Sequence, residues 1–191
     1  MKGILCSRNA GKARELERLL PRWTIAPLGA AEFPPEDGET YYENALAKAR
    51  FGRRVGDSAA WTIGEDSGIE VTGLDGGPGI RSARFGGDDP VGRLLAALEG
   101  VEGEGRRARY VSELVALSPS GEEVRGAGVL AGRIGHEPRG SEGFGYDPVF
   151  VPEGEQQTVA ELGNEWKAAN SHRARAAKAL LIALDRQKAR S

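Results

Sequence analysis

Apolar residues along this chain fall into two patterns: short continuous runs that suit strands, and stripes spaced three to four apart that suit helices. Gly3-Ile4-Leu5-Cys6 is a run of the first kind. A small-residue turn follows, and then a helix beginning near Gly11 that puts Leu16, Leu19 and Leu20 on one face. Residues 22–27 read as a second short strand, and residues 34–38, rich in proline, as a loop. Residues 40–54 predict a helix with Tyr42, Ala45, Leu46 and Ala49 inward. Residues 61–64 predict a strand closed by Glu65-Asp66-Ser67-Gly68, with Ile69 and Val71 continuing it into a hairpin-like excursion. Residues 73–87 hold six glycines and a proline and read as an extended loop. A helix is expected over 90–98. Two long antiparallel strands are expected over 109–117 and 122–133, joined by Ser118-Pro119-Ser120-Gly121. A Gly-rich loop over 135–147 leads to a short strand over 148–151. The last helix spans 171–188, with Ala177, Leu180, Leu181 and Leu184 inward. βα units around a central hairpin imply a mixed α/β sheet with flanking helices.

Composition narrows the chemistry. The 191 residues suit one large domain, or two small lobes around one core. One cysteine excludes an internal disulfide and a Cys-rich zinc site, and two histidines make a His-based transition-metal site a poor fit. A Mg²⁺ or Mn²⁺ site needs mainly carboxylates and water, and acids are plentiful. A formal net charge of −2 argues against a nucleic-acid partner. There is no run of 18 apolar residues and no hydrophobic signal segment at the N-terminus, so a cytoplasmic protein without membrane attachment is expected.

The candidate reactive residues sit at the ends of these elements. Ser7-Arg8-Asn9-Ala10-Gly11-Lys12 joins strand to helix, where free backbone N–H groups and Lys12 form a cradle for phosphate. The same stretch also reads as an ordinary turn. Asp66 in Glu65-Asp66-Ser67-Gly68 can hold Mg²⁺ and orient a water, or can bond its own backbone in a turn. Glu36 is either a second metal carboxylate or a solvated loop acid. Thr40 and Glu43 fit a capping box, which gives Glu43 a structural role. Asn44 and Lys48 share the helix face opposite the apolar stripe, facing either a site or water. Phe144-Gly145-Tyr146-Asp147 carries an aromatic able to stack on a base, or a core aromatic at a strand entrance. Ser171 reads as an N-cap, and Lys167, His172 and Arg173 read as phosphate and base contacts or as a solvated helix start. As a set, these carboxylates, lysines and aromatics suit Mg²⁺, a polyphosphate and a ring.

Six segments in one order resemble the noncanonical purine nucleoside triphosphate pyrophosphatases, the inosine triphosphate pyrophosphatase family. The family's Thr-Gly-Asn-x-Gly-Lys corresponds to residues 7–12. Its Thr-Phe-x-Glu-Asn-Ala-x-x-Lys-Ala corresponds to residues 40–49, and its Asp-Asp-Ser-Gly-Leu to residues 65–69. Its Gly-x-Pro-Gly-x-x-Ser-Ala-Arg loop matches residues 76–84. Gly143-Phe144-Gly145-Tyr146-Asp147-Pro148 and Ser171-His172-Arg173 complete the series.

The resemblance implies a single enzyme domain over residues 1–191, two-lobed, with the active site in the cleft between lobes. It implies a homodimer that hydrolyses ITP, dITP and XTP to the monophosphate and pyrophosphate with Mg²⁺. By position, Ser7, Arg8, Asn9, Ala10, Gly11 and Lys12 would bind triphosphate. Glu36 and Asp66 would hold metal, Asp66 would also activate water, and Lys12 would share the catalytic work. Ser67, Lys48 and Lys167 would contact substrate, and Phe144, Gly145, Tyr146, Asp147, His172 and Arg173 would surround the base. Arg8 replaces the family's glycine. Glu65 replaces its first aspartate, which keeps the charge, lengthens the reach and leaves it a further metal or proton-handling candidate. Two rival readings are a related pyrophosphatase with other nucleotide substrates and a nucleotide-binding module without hydrolysis.

Overall fold

The computed structural model describes residues 1–7, 9–30 and 32–189. Six strands form one sheet in the order β2-β1-β3-β4-β5-β6. They are β1 (Lys2–Leu5), β2 (Thr24–Pro27), β3 (Trp61–Val71), β4 (Arg107–Leu117), β5 (Glu123–Ile134) and β6 (Phe150–Pro152). β1 runs parallel to both β2 and β3, and β5 runs antiparallel to β6, so the sheet is mixed. The helices are α1 (Ala10–Leu19), α2 (Tyr41–Val55), α3 (Pro90–Ala97), α4 (Val159–Asn170) and α5 (His172–Lys188). Among the described residues no helix is long and apolar enough to cross a membrane.

The chain divides into two compact units. The first comprises Met1–Asp66, Ser112–Gly128 and Arg173–Ser191, and the second Ser67–Val111 and Val129–His172. In the first, Leu5, Leu16, Leu20, Trp23, Ile63, Leu114 and Leu180 form the main core. Each such side chain contributes about 1.5–3 kcal/mol when fully buried. In the second, Ile69, Val71, Leu94, Leu98, Leu130, Ile134, Val149 and Phe150 do the same. Arg106 is buried there with its guanidinium on the carbonyls of Val101, Gly135 and Leu98.

Local chemistry explains most helix starts. Thr40 and Glu43 form the expected capping box on α2, an arrangement that satisfies two orphan donors reciprocally. Asp89 caps α3 and Pro90 occupies its first turn. Gly64 matters for a different reason. A Cβ at this position would fall on the Ala45 carbonyl oxygen, so only glycine lets β3 lie against α2.

Two elements differ from the sequence expectation. β3 runs unbroken through Glu65-Asp66-Ser67-Gly68, which therefore lies mid-strand instead of closing it. The acids can stay in the strand because cations from other segments meet them there. α4 has no counterpart in the apolar pattern, since Gly163 at φ 85 interrupts its helical geometry. Its start was nonetheless signalled by Thr158 and Glu161, a second capping box. The glycine-rich stretch of the second unit holds 3₁₀ turns at Thr72–Leu74 and Gly79–Arg81, and a third lies at Gly103–Arg106.

Candidate active site

In the first unit, the turn between β1 and α1 is organised by its own side chains. The Asn9 amide N–H donates to Ser7 Oγ at 3.1 Å. Asn9 Oδ1 then accepts from the Gly11 and Lys12 amides at 2.9 and 3.2 Å. This is a standard N-cap, and it corrects one expectation: two donors read as free for phosphate are already bonded to Asn9. Arg8 lies outside the described residues, and Ala10 opens α1. The cationic element of the turn is the Lys12 side chain, whose Nζ lies 2.6 Å from Glu65 Oε2.

Lys48 projects from α2 and is buried, as is Asn44 one turn earlier. The polar face of this helix therefore looks inward. Lys48 Nζ lies 2.7 Å from Asp66 Oδ1 and 2.5 Å from Glu36 Oε1, and it also donates to the Glu65 carbonyl at 3.1 Å. Asn44 Nδ2 donates to Asp66 Oδ2 at 3.1 Å, while its Oδ1 accepts from the Gly38 amide at 2.9 Å. Asn44 thus ties the loop carrying Glu36 to the strand carrying Asp66, a role the sequence reading did not give it. The signal was its position four residues before Lys48.

Burial raises the Asp66 carboxyl above the ordinary carboxylate range. Lys48 opposes that shift, while Glu36 and Glu65 reinforce it. Burial also works to discharge Lys48, but Asp66 and Glu36 outweigh it and hold its ammonium above the usual lysine range. Burial thus outweighs the cation at Asp66, and the neighbouring carboxylates add to it. Glu65 behaves differently. Burial opposes its charge, yet Lys12 and Arg173 more than compensate and keep it well below the carboxylate range.

The Arg173 guanidinium was expected at the base or phosphate, but it is buried with Nε and Nη2 on Glu65 Oε1 at 3.1 and 3.0 Å. Its Nη1 bonds Glu15 Oε2 at 2.6 Å. Glu15 and Ser112, whose Oγ donates to Glu65 Oε1 at 3.3 Å, were not anticipated, because nothing local marks a helix acid or a strand serine as partners of a distant arginine.

In the second unit, Asp147 is the organising group. Its Oδ2 accepts from Lys167 Nζ at 2.6 Å and from the Phe144 amide at 2.8 Å, and its Oδ1 accepts from Tyr110 OH at 3.3 Å. Lys167 Nζ also lies 3.9 Å from the centre of the Phe144 ring. Phe144 is 39 % exposed, and Gly145 holds a φ of 65 that lets the loop turn at this point. Tyr146 is buried with its OH on the Ser82 carbonyl at 2.9 Å, which makes it a core residue. His172 stacks on Tyr110 with ring centroids 4.5 Å apart. Ser67 follows Asp66 on β3 and is half-buried.

Among the described residues no group of three or more His, Cys, Asp or Glu side chains is arranged as a metal cluster. Glu36 and Asp66, two hard-oxygen donors converging on one ammonium, are the carboxylate pair of the first unit. A pair of this kind suits Mg²⁺, which takes one or two carboxylates and completes its shell with water and substrate phosphate.

The mixed sheet with flanking helices makes this an α/β protein with buried carboxylate–lysine pairs. The chain belongs to the Ham1 family, whose sequence model matches residues 4–183. It is 43% identical over 184 residues to a Deinococcus deserti protein named dITP/XTP pyrophosphatase, covering 94% of this chain and 88% of that one. Among solved structures, a HAM1 protein from Coxiella burnetii matches with a TM-score of 0.84 at 31% identity, covering 97% of this chain and 99% of that chain. A Mycobacterium abscessus structure described as a nucleoside-triphosphatase and dITP/XTP pyrophosphatase matches with a TM-score of 0.74 at 41% identity, covering 96% of this chain and all of that one.

Proposed function

We propose that this protein hydrolyses ITP, dITP and XTP to the nucleoside monophosphate and pyrophosphate, and so clears deaminated purine nucleotides from the cytoplasmic pool. The observation that carries the reading is the convergence of Asp66 and Glu36 on Lys48, with Lys12 held alongside on Glu65. The names borne by its relatives supply the substrate class.

Each polar group then has a task. Water attacks the α-phosphorus, the bond from that phosphorus to the bridging oxygen breaks, and pyrophosphate leaves. Asp66, whose carboxyl burial has raised, accepts the proton of the attacking water. Lys12 and Lys48 offset negative charge on the departing phosphates. Glu36 and Asp66 would hold Mg²⁺, or Mn²⁺ in its place, which when bound supplies further charge neutralisation at the phosphates. In the second unit Phe144, 39 % exposed, offers a ring face for the base, while Ser67, Lys167 and His172 contact the substrate. Asp147 shapes the 144–147 loop through the Phe144 amide. The protein acts as a homodimer, a reading that rests on the family resemblance, and light scattering at twice the chain mass checks it.

The deciding experiment is hydrolysis of a nucleotide panel with Mg²⁺ in ¹⁸O-labelled water. ITP and XTP turn over with pyrophosphate release, and the label enters the monophosphate. Label in orthophosphate with a nucleoside diphosphate product would overturn the bond assignment, and no hydrolysis of any nucleotide would favour a binding module.

A further inference from the structure

The proposed reaction gives Glu65 no step, although its side chain is fully buried in the middle of β3. Both of its oxygens are committed. Oε1 takes Arg173 through Nε and Nη2 and also takes Ser112 Oγ, while Oε2 takes Lys12 Nζ at 2.6 Å. Arg173 is itself fixed by Glu15 at 2.6 Å. These groups come from α1, β3, β4 and α5, so the arrangement is locked from several sides. Glu36 and Asp66 share the Lys48 ammonium, and Asp66 also accepts from Asn44 Nδ2.

A lysine side chain is rich in rotamer entropy. Holding its ammonium in place before the ligand arrives removes part of the cost of binding. An aspartate in place of Glu65 would be one methylene shorter, and could not span Arg173 and Lys12 at the same distances. We infer that Glu65, clamped by Arg173 and Ser112, is a positioning residue that presents the Lys12 ammonium to the triphosphate and is not a ligand of the metal. This rests on the assignment of Lys12 to the triphosphate.

The sign of one substitution separates positioning from simple charge. If Glu65 acted only through its charge, Glu65→Gln would make the site more positive and tighten anion binding. If it positions Lys12, the same change loosens binding.

The test is calorimetric titration of the full chain with inorganic triphosphate in Mg²⁺, and separately with Mn²⁺ alone. Glu65→Gln is expected to weaken triphosphate binding by about tenfold and to add nothing in a Lys12→Met background, the mark of two coupled residues. Mn²⁺ affinity should fall by much less than it does for Glu36→Gln, which removes a proposed ligand, since a group outside the ligand set acts on the metal only indirectly. Glu65→Asp keeps the charge facing Arg173 and should fall between wild type and Glu65→Gln. It carries the same cycle if the glutamine variant does not fold. Tighter or unchanged triphosphate binding, additive losses with Lys12→Met, or a loss of Mn²⁺ affinity as large as that of Glu36→Gln would each overturn the inference. Triphosphate binding is read without turnover, so failure of wild type to hydrolyse ITP would sink the functional reading and leave this measurement standing.

Discussion

The polar groups of the two units are built on different principles. In the first, Lys12, Glu15, Glu36, Lys48, Glu65, Asp66 and Arg173 form ion pairs of 2.5–3.0 Å, with no aromatic ring among them. In the second, the buried Lys167–Asp147 pair supports rings: Tyr110 against His172, and Phe144 beneath the Lys167 ammonium. The contrast teaches how labour is divided. A dense charge lattice fixes positions at a high desolvation cost and suits phosphates and a metal. A lightly charged aromatic set tolerates different ring substituents and suits a base. Substitutions in the charge lattice of the first unit should therefore act on turnover whatever the base, and loss of the exposed Phe144 ring in the second on base affinity.

The largest expected break comes from Arg173→Met. It strands Glu65 and Glu15 without their shared cation, and loss of one partner from a buried network costs about 3–5 kcal/mol. A urea titration should show a lower midpoint at unchanged slope. A loss below about 1 kcal/mol, the value typical of an exposed pair, would mean the lattice is not structural. Next is Asp66→Asn, which should lower kcat by at least about 100-fold for ITP and XTP alike, through loss of the proton acceptor and of one metal carboxylate. Pyrophosphate release measures it, and near-normal turnover in the folded variant would remove Asp66 from the mechanism. The smallest effect is expected from Phe144→Ala. It should raise KM for ITP about tenfold, in keeping with the loss of one base-stacking contact. Affinity for inorganic triphosphate should not move, and an equal loss for both ligands would erase the division between the units.

Features that depend on neighbours in sequence were legible from the chain alone. The Thr40–Glu43 cap, the stripe on α5 and the β1–turn–α1 unit could all be read directly. Features that depend on distant partners were not. Glu65 and Asp66 looked like a strand end because adjacent acids are costly inside a strand. Their compensation comes from Lys12, Lys48 and Arg173, which no local window contains. Arg173 read as a ligand donor for the same reason, since its two acids lie 158 and 108 residues away in the chain. α4 escaped because Gly163 breaks the spacing that marks a helix, although Thr158 and Glu161 announced its start. Lys48 and Asn44 were read as one helix face, and only the structure decided that the face points inward.

The missing side chain at Gly64 bears on how such an enzyme can diversify. A single methyl group there would strike the Ala45 carbonyl and come within 2.8 Å of the Ala49 amide nitrogen, so the seam between α2 and β3 admits no bulkier variant. In a randomised library selected for new nucleotide substrates, position 64 should return glycine while position 144 drifts. Innovation in substrate range would then run through the aromatic set, with the spacing of Lys48 and Asp66 inherited intact.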